Sequence, residues 1–339
     1  MMDSGKPARG FFSRIAPALL ILVLAPLFTE ELPGATRLST LLAFPPVLVM
    51  ETVVWGGAAL MLRGLARRLG LGWGSLLLFG LVIAVAEEFV IQQTSLAPLV
   101  IKLKGVEWAR AGGINYVYAL WALAYEAAWV VLLPTLIAEM VFPDRRQETW
   151  LSTTGTVIML ILFAIGSVMA WFAWTHVARE KTFHMPAYDP PLHAILIALA
   201  VIGGLFVWAI RFPPRFTATA RPPAPAVLGI LAAIWAALWY ILVVLAFGIA
   251  PQLSAPPVFA IALVIMILVV LMLPRWAAHP AWTARHAYGL AMGALVGSML
   301  TSLIGFQGAA PTDLWFKVVI DLIAFGLMIL LGRKVARTG

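Results

Sequence analysis

Ten runs of mainly apolar residues, each of roughly membrane-crossing length, dominate this chain. They cover 14–29, 39–62, 75–96, 116–141, 153–176, 193–211, 226–249, 257–274, 286–306 and 315–332. A hydrocarbon core about 30 Å thick takes about 20 apolar residues of helix to cross. In lipid only helices and closed barrels satisfy their own backbone polar groups, and runs this long without alternation read as helices. The rest of the chain cannot reverse that reading. Only 11% of the residues are charged and 63% are hydrophobic, whereas a soluble domain carries about 25% charged residues. The sequence therefore predicts an all-α, polytopic integral membrane protein of about ten transmembrane helices. It forms one transmembrane domain over 1–339, with acid-bearing helices in 39–141 and the remaining helices in 153–332.

The connections are short and hold most prolines and charges, among them Pro190-Pro191, Pro213-Pro214, Pro222-Pro223 and Pro256-Pro257. Pro45-Pro46 and Pro134 fall inside runs, where they are expected to kink the helix. With the N-terminus inside, 16 of the 23 Lys and Arg residues fall on inside segments. That bias predicts both termini in the cytoplasm and a multi-pass protein of the cell (inner) membrane. The net charge of +8 is spread over these loops, which argues against a nucleic-acid partner and leaves the lipid bilayer as the expected one. Lys6, Arg9 and Arg14 precede the first run with no clear cleavage site after it, so it reads as an uncleaved span rather than a signal peptide. The outer loop 97–115 reads as an exposed loop; the alternative is that Val100–Lys104 lies among headgroups with Trp108 as anchor. A ten-helix chain permits two inverted five-helix repeats, but no repeat is visible.

Gly289, Gly293, Gly297, Thr301 and Gly305 recur every four residues in the ninth run. That spacing keeps small residues on one face and predicts close helix packing, or alternatively a subunit contact or a substrate path lined by backbone. Trp150, Trp171, Trp174, Trp282 and Trp315 fall near run ends, as interfacial anchors do. Trp121 and Trp129 sit inside the fourth run, as core packing or as an aromatic cage.

The chemistry lies in carboxylates. Glu51 is about halfway along the second run, Glu87 and Glu88 just past halfway along the third, and Glu126 near the middle of the fourth. Short-looped consecutive helices are neighbours, so these acids are expected to meet at one depth. A charge at a helix centre costs about 2.5–3.5 kcal/mol on insertion scales, and no Lys, Arg or His lies mid-run to pair with them. Protonation, a cation or a water-filled cavity must answer that cost. Gln92 follows Glu88 by one turn, and Tyr125 stands beside the stripe Asn115, Ala119, Ala122 and Glu126. Because adjacent helical residues are about 100° apart, only one of Glu87 and Glu88 is expected to face the pocket. Glu51, Glu87, Glu88, Gln92, Glu126 and Tyr125 are thus the candidate substrate- or ion-binding residues. The competing reading makes the acids neutral hydrogen-bonding glue between helices, worth about 0.6 kcal/mol each. Glu139 is expected to snorkel, and Asp321 to pair with Lys317 four residues earlier.

Around the acidic pair the chain reads Ala84-Val85-Ala86-Glu87-Glu88-Phe89-Val90-Ile91-Gln92. This resembles the Glu-Glu-x-x-x-Arg motif of the CPBP (CAAX protease and bacteriocin-processing) intramembrane protease superfamily. Gln92 stands at the motif's Arg position. The family's second motif, Phe-x-x-x-His on the next helix, corresponds to Ala122 and Glu126. The resemblance implies an acid of the Glu87-Glu88 pair activating water, or a non-catalytic relative without the Arg and His. The chain is also similar to bacterial polytopic membrane proteins in which a basic loop, here Arg63 to Arg68, precedes a Glu-Glu span.

Other signatures are missing: there is no His-Glu-x-x-His, Gly-x-Ser-x-Gly or phosphate-binding loop, and no cysteine. No cofactor is expected, and no metal site beyond a loop grouping of His184, His193 and Asp189. The expectation is a proton- or cation-linked transporter, or a binder of a small ion or a cationic or lipidic substrate. The alternatives are a CPBP-like enzyme or relative, and a structural or assembly protein.

Overall fold

Local capping chemistry starts several of the helices. Asn115 accepts the Tyr118 N–H at 2.9 Å and opens the fourth; Ser152 accepts the Gly155 N–H at 3.0 Å and opens the fifth. Thr283 and His286 form a reciprocal capping box at the ninth, with His in place of the usual Glu. The computed structural model describes residues 11–338, so Lys6 and Arg9 of the topology argument lie outside the described residues. Ten of its helices are long and apolar enough to cross a membrane: α1 Phe12–Glu31, α2 Pro46–Arg68, α3 Trp73–Ile91, α4 Tyr116–Val141, α5 Thr153–Thr182, α6 Leu192–Arg211, α7 Pro225–Ala246, α8 Ala255–Ala277, α9 Ala284–Phe306 and α10 Pro311–Arg337.

Every apolar run becomes a helix, but some boundaries move. Pro45-Pro46 does not kink a longer helix. The chain breaks at Phe44, and Pro46 takes the first turn of α2, where a missing N–H costs nothing. Residues 39–43 belong instead to a separate short helix, Leu38–Ala43. At the other proline the helix continues, widened into a π turn over Glu126–Leu132 just before Pro134. That turn accommodates a residue with no N–H to give. The third helix ends at Ile91, because Gln93 adopts φ +59° and the chain leaves the helix there.

α4 lies at the centre. Its Val130 and Val131 face a core with Ile21, Trp55, Ala58 and Phe79 from α1, α2 and α3. Its Trp121, Tyr125 and Trp129 face a second core with Trp239 and Tyr240 of α7 and Leu295 of α9. The rings of Trp121, Tyr125, Trp129, Trp235 and Trp239 stack successively at 4.8, 5.2, 5.9 and 5.6 Å. They fill each other's faces, so this is packing and leaves no aromatic cage.

α7 and α9 share the most extensive interface. A Cβ on Gly289, Gly293 or Gly297 would stand 2.4, 2.0 or 2.2 Å from the carbonyl oxygen of Pro225, Gly229 or Ala233. Two four-residue stripes meet, glycine against carbonyl, inside one chain. The stripe stops before Gly305, which faces open space. α5, α6 and α8 carry exposed Ile158, Ile161, Ile197, Ile261 and Val264, apolar faces suited to lipid rather than water.

At the end of α2 and α4 that carries the arginines, Glu139 does not snorkel. Arg67 holds it through Nη2 at 2.6 and 2.8 Å, and Arg63 through Nε at 3.1 Å. Fully buried Arg63 also donates to the Glu148 and Arg146 carbonyls at 2.8 Å and lies 3.2 Å above the Trp150 ring. Trp150 is therefore a packing residue, not a lipid anchor. Likewise Trp108 is buried and donates to the Leu253 carbonyl, while Ile101, Leu103 and Val106 of its loop are exposed. Asp321 bonds Lys317, as expected from their spacing.

Candidate functional site: a buried carboxylate cluster

Six carboxylates from four helices gather where α1 and α3 end and α2 begins. Glu31 closes α1, Glu51 is the sixth residue of α2, and Glu87 and Glu88 lie in the last turn of α3. Glu126 reaches them from the eleventh position of α4. The cluster thus sits near one end of α1, α2 and α3, because Pro46 starts α2 late and Gln93 ends α3 early, while Glu126 keeps its place near the middle of α4. Relative exposure is 6% for Glu31, 7% for Glu126 and 3% for Glu51, Glu87 and Glu88, so water does not screen these charges. Glu30 is half-buried and lies in the field of Glu51, Glu126, Glu31 and Glu88.

Each of the four helices turns π-helical at its acids: Leu27–Glu31, Thr52–Gly56 directly after Glu51, Glu87–Ile91 and Glu126–Leu132. π turns inside α-helices concentrate at functional sites. Two have a visible local cause. Thr29 Oγ1 donates to the Ala25 carbonyl at 2.6 Å and Thr52 Oγ1 to the Leu48 carbonyl at 2.7 Å. A hydroxyl on the carbonyl four residues back competes with the amide that normally binds there. In α1, Pro33 removes another donor, and Leu32 N is spent on Leu27 O. The Tyr125 hydroxyl replaces them, lying 3.0 Å from both the Phe28 and Thr29 carbonyls. Tyr125 therefore ties α4 to α1 next to Glu126.

Carboxylate oxygens of Glu87, Glu88 and Glu126 all lie within 4.8 Å of one another. The expectation that Glu87 and Glu88 face apart is corrected by this convergence. They begin a π turn, and their long side chains close the remaining angle. At 4.8 Å and an effective dielectric of about 20, each ionised pair repels by about 3.5 kcal/mol. Ser95 Oγ donates to Glu88 Oε2 at 2.6 Å. Glu126 Oε2 has no hydrogen-bond partner, and neither has the buried Trp55 Nε1 that lies beside it. No ion pair among the described residues reaches any of the six acids.

Glu31 and Glu51 form a second grouping, each carboxyl acting directly on the other. Thr36 Oγ1 donates to Glu51 Oε1 at 2.5 Å. The turn that carries Thr36 depends on Gly34, at φ +78°, where a Cβ would stand 2.2 Å from the Phe306 ring. Arg37 pins the same turn by donating to the Gly305 carbonyl at 2.9 Å.

Of the residues expected from the sequence, Glu51, Glu87, Glu88 and Glu126 are in the cluster. The Gln92 backbone N–H closes the π turn on the Glu87 carbonyl, and Ser95 supplies a polar side chain to Glu88. Asn115 is spent as a helix cap. Glu30, Glu31, Thr36 and Trp55 were not foreseen. The signal was present, since α1 ends in a second Glu-Glu pair; hydropathy ends a run at such a pair, and the helix does not. His184, His193 and Asp189 form no metal-binding group among the described residues, and Asp189 instead approaches His176 at 3.7 Å. The grouping that could hold a metal is Glu87, Glu88 and Glu126, which no ligand spacing in the sequence announced. Comparison with family models, curated proteins and solved structures finds no match to this chain.

Proposed function

We propose that this is an inner-membrane protein, with all ten helices spanning and both termini cytoplasmic, that binds a cation at Glu87, Glu88 and Glu126 and couples that binding to transport. The observation that carries this reading is the convergence of three buried carboxylates within 4.8 Å with no cationic side chain among them. Three ionised pairs would repel by about 10 kcal/mol in total at that spacing, and a cation among them reverses the sign. Oxygen-only donors suit hard cations such as Mg2+, Ca2+ or Mn2+ better than metals that prefer nitrogen or sulfur. The orphaned Glu126 Oε2 and the four π turns belong to a site kept at a cost in backbone regularity. Orientation follows from the 16 of 23 basic residues on one set of connections.

Cation flux into proteoliposomes tests it. Wild-type protein should carry Mn2+ or Ca2+, and Glu87→Gln, Glu88→Gln and Glu126→Gln should each lose at least tenfold. Unchanged flux and pH profile in all three variants would sink the reading.

One observation favours a second reading. Glu126 meets Glu87 and Glu88 where the CPBP pattern places its His-bearing helix. A CPBP-like enzyme would cleave a membrane-embedded peptide, and Glu87→Gln would abolish the cleavage; a non-catalytic relative would keep the cluster and cleave nothing. The assembly reading has less support, because the glycine stripe of α9 is already filled by α7 of the same chain.

A further inference from the structure

Glu31 and Glu51 are not part of the three-carboxylate group, yet they are as deeply buried. Glu31 Oε2 and Glu51 Oε2 each lack a partner that can donate a hydrogen bond. An ionised carboxylate only accepts, so two of them face to face have nothing to share. One proton changes that: the protonated acid donates to its neighbour in a charge-assisted bond. The site is built around this pair. Thr36 takes one lone pair of Glu51, leaving the other oxygen for Glu31. α1 and α2 each turn π-helical beside it.

The groups facing the pair are few. Glu30 stands next to it on α1 and also lies in the field of Glu88 of α3 and Glu126 of α4. Toward α10, Asp313 is occupied by the N–H and hydroxyl of Ser39, and Lys317 by Asp321 and the Met299 carbonyl. Among the described residues no base forms an ion pair with Glu31 or Glu51, so the pair's charge responds to what the other acids hold.

We propose that Glu31 and Glu51 form a separate proton site, whose proton leaves to water when a cation enters the Glu87–Glu88–Glu126 group, making the protein a cation–proton exchanger. This rests on the cation-binding reading above. A divalent ion placed among the three acids cancels two of their three negative charges, so the field opposing a second negative charge at the pair is largely removed. The direction of coupling follows: cation in, proton out, and the reverse.

The test counts protons released on adding Mn2+ to the full-length protein in weakly buffered detergent, with a pH indicator, alongside the Mn2+ isotherm. Glu31→Gln and Glu51→Gln keep the side-chain shape, and the amide supplies a permanent donor to the remaining acid. Both should bind Mn2+ with unchanged stoichiometry and release about one proton fewer per ion, since each protonated carboxyl holds a single proton. The infrared band of protonated carboxyl should weaken in both variants before any Mn2+ is added. Equal proton release in wild type and variants overturns the proposal, and so does a loss of Mn2+ stoichiometry, which would make the pair an ion site. No Mn2+ binding by wild-type protein overturns the cation reading itself and the coupling with it. The infrared comparison then still reports whether the pair holds a proton.

Discussion

Adding a single methyl group at Gly293 should separate two helices. A Cβ there would stand 2.0 Å from the Gly229 carbonyl oxygen and 3.0 Å from the Ala232 Cβ. Cβ contacts shorter than 3.0 Å are essentially absent from real proteins, so α7 and α9 must move apart by at least about 1 Å. The obstacle is backbone on both sides, and no rotamer relieves it. Gly289 and Gly297 make the same approach one turn away on either side, so the whole seam opens. A gap of 0.5–1 Å forfeits about a quarter to a half of each dispersion contact it touches. With overpacking costs of about 1–3 kcal/mol, Gly293→Ala should destabilise by about 3 kcal/mol, the upper end, despite alanine's better helix propensity. Gly326→Ala on α10 is the control, since a Cβ there meets nothing within 4 Å. Thermal unfolding in detergent should place Gly293→Ala several degrees below wild type and Gly326→Ala level with it or above. If Gly293→Ala melts with or above Gly326→Ala, the close packing of α7 on α9 is wrong.

Three further substitutions separate scaffold from site. Arg63→Leu removes a buried guanidinium that serves Glu139 and two carbonyls, and should cost about 3–5 kcal/mol in thermal unfolding; a loss under 1 kcal/mol would contradict that arrangement. Tyr125→Phe strands the Phe28 and Thr29 carbonyls and should cost about 1–3 kcal/mol, with cation stoichiometry retained. Ser95→Ala removes the hydroxyl on Glu88; melting should shift little while Mn2+ affinity changes severalfold, and an unchanged affinity would place Ser95 outside the site.

The sequence made the helices legible because hydropathy over 20 residues is a strong signal, and all ten appear. It also made the acid-bearing helices legible, because charge within such a run is rare. It misjudged what backbone detail decides. Pro46 reads as a kink by composition and proves to be a helix start, which moves Glu51 toward the end of α2. Glu87 and Glu88 face apart on an ideal α-helix, but a π turn and their long side chains bring the carboxylates together, which leaves no mark in hydropathy. Glu30 and Glu31 fell outside the first run because two adjacent charges end a hydropathy window, although the helix runs through them. Glu139 is an edge acid by position, and only the fold brings Arg63 and Arg67 onto it.

The central claim is that Glu87, Glu88 and Glu126 hold one cation between them. Equilibrium binding of Mn2+ to the full-length protein in detergent, read by electron paramagnetic resonance, addresses it directly. The account predicts one tightly held Mn2+ per chain, displaced by Ca2+ or Mg2+. It predicts that affinity falls at least tenfold in each of Glu87→Gln, Glu88→Gln and Glu126→Gln, and not in Glu107→Gln, whose carboxylate pairs with Arg110 in a loop. A wild-type protein that binds no Mn2+, or three variants that bind it as wild type does, would contradict the account.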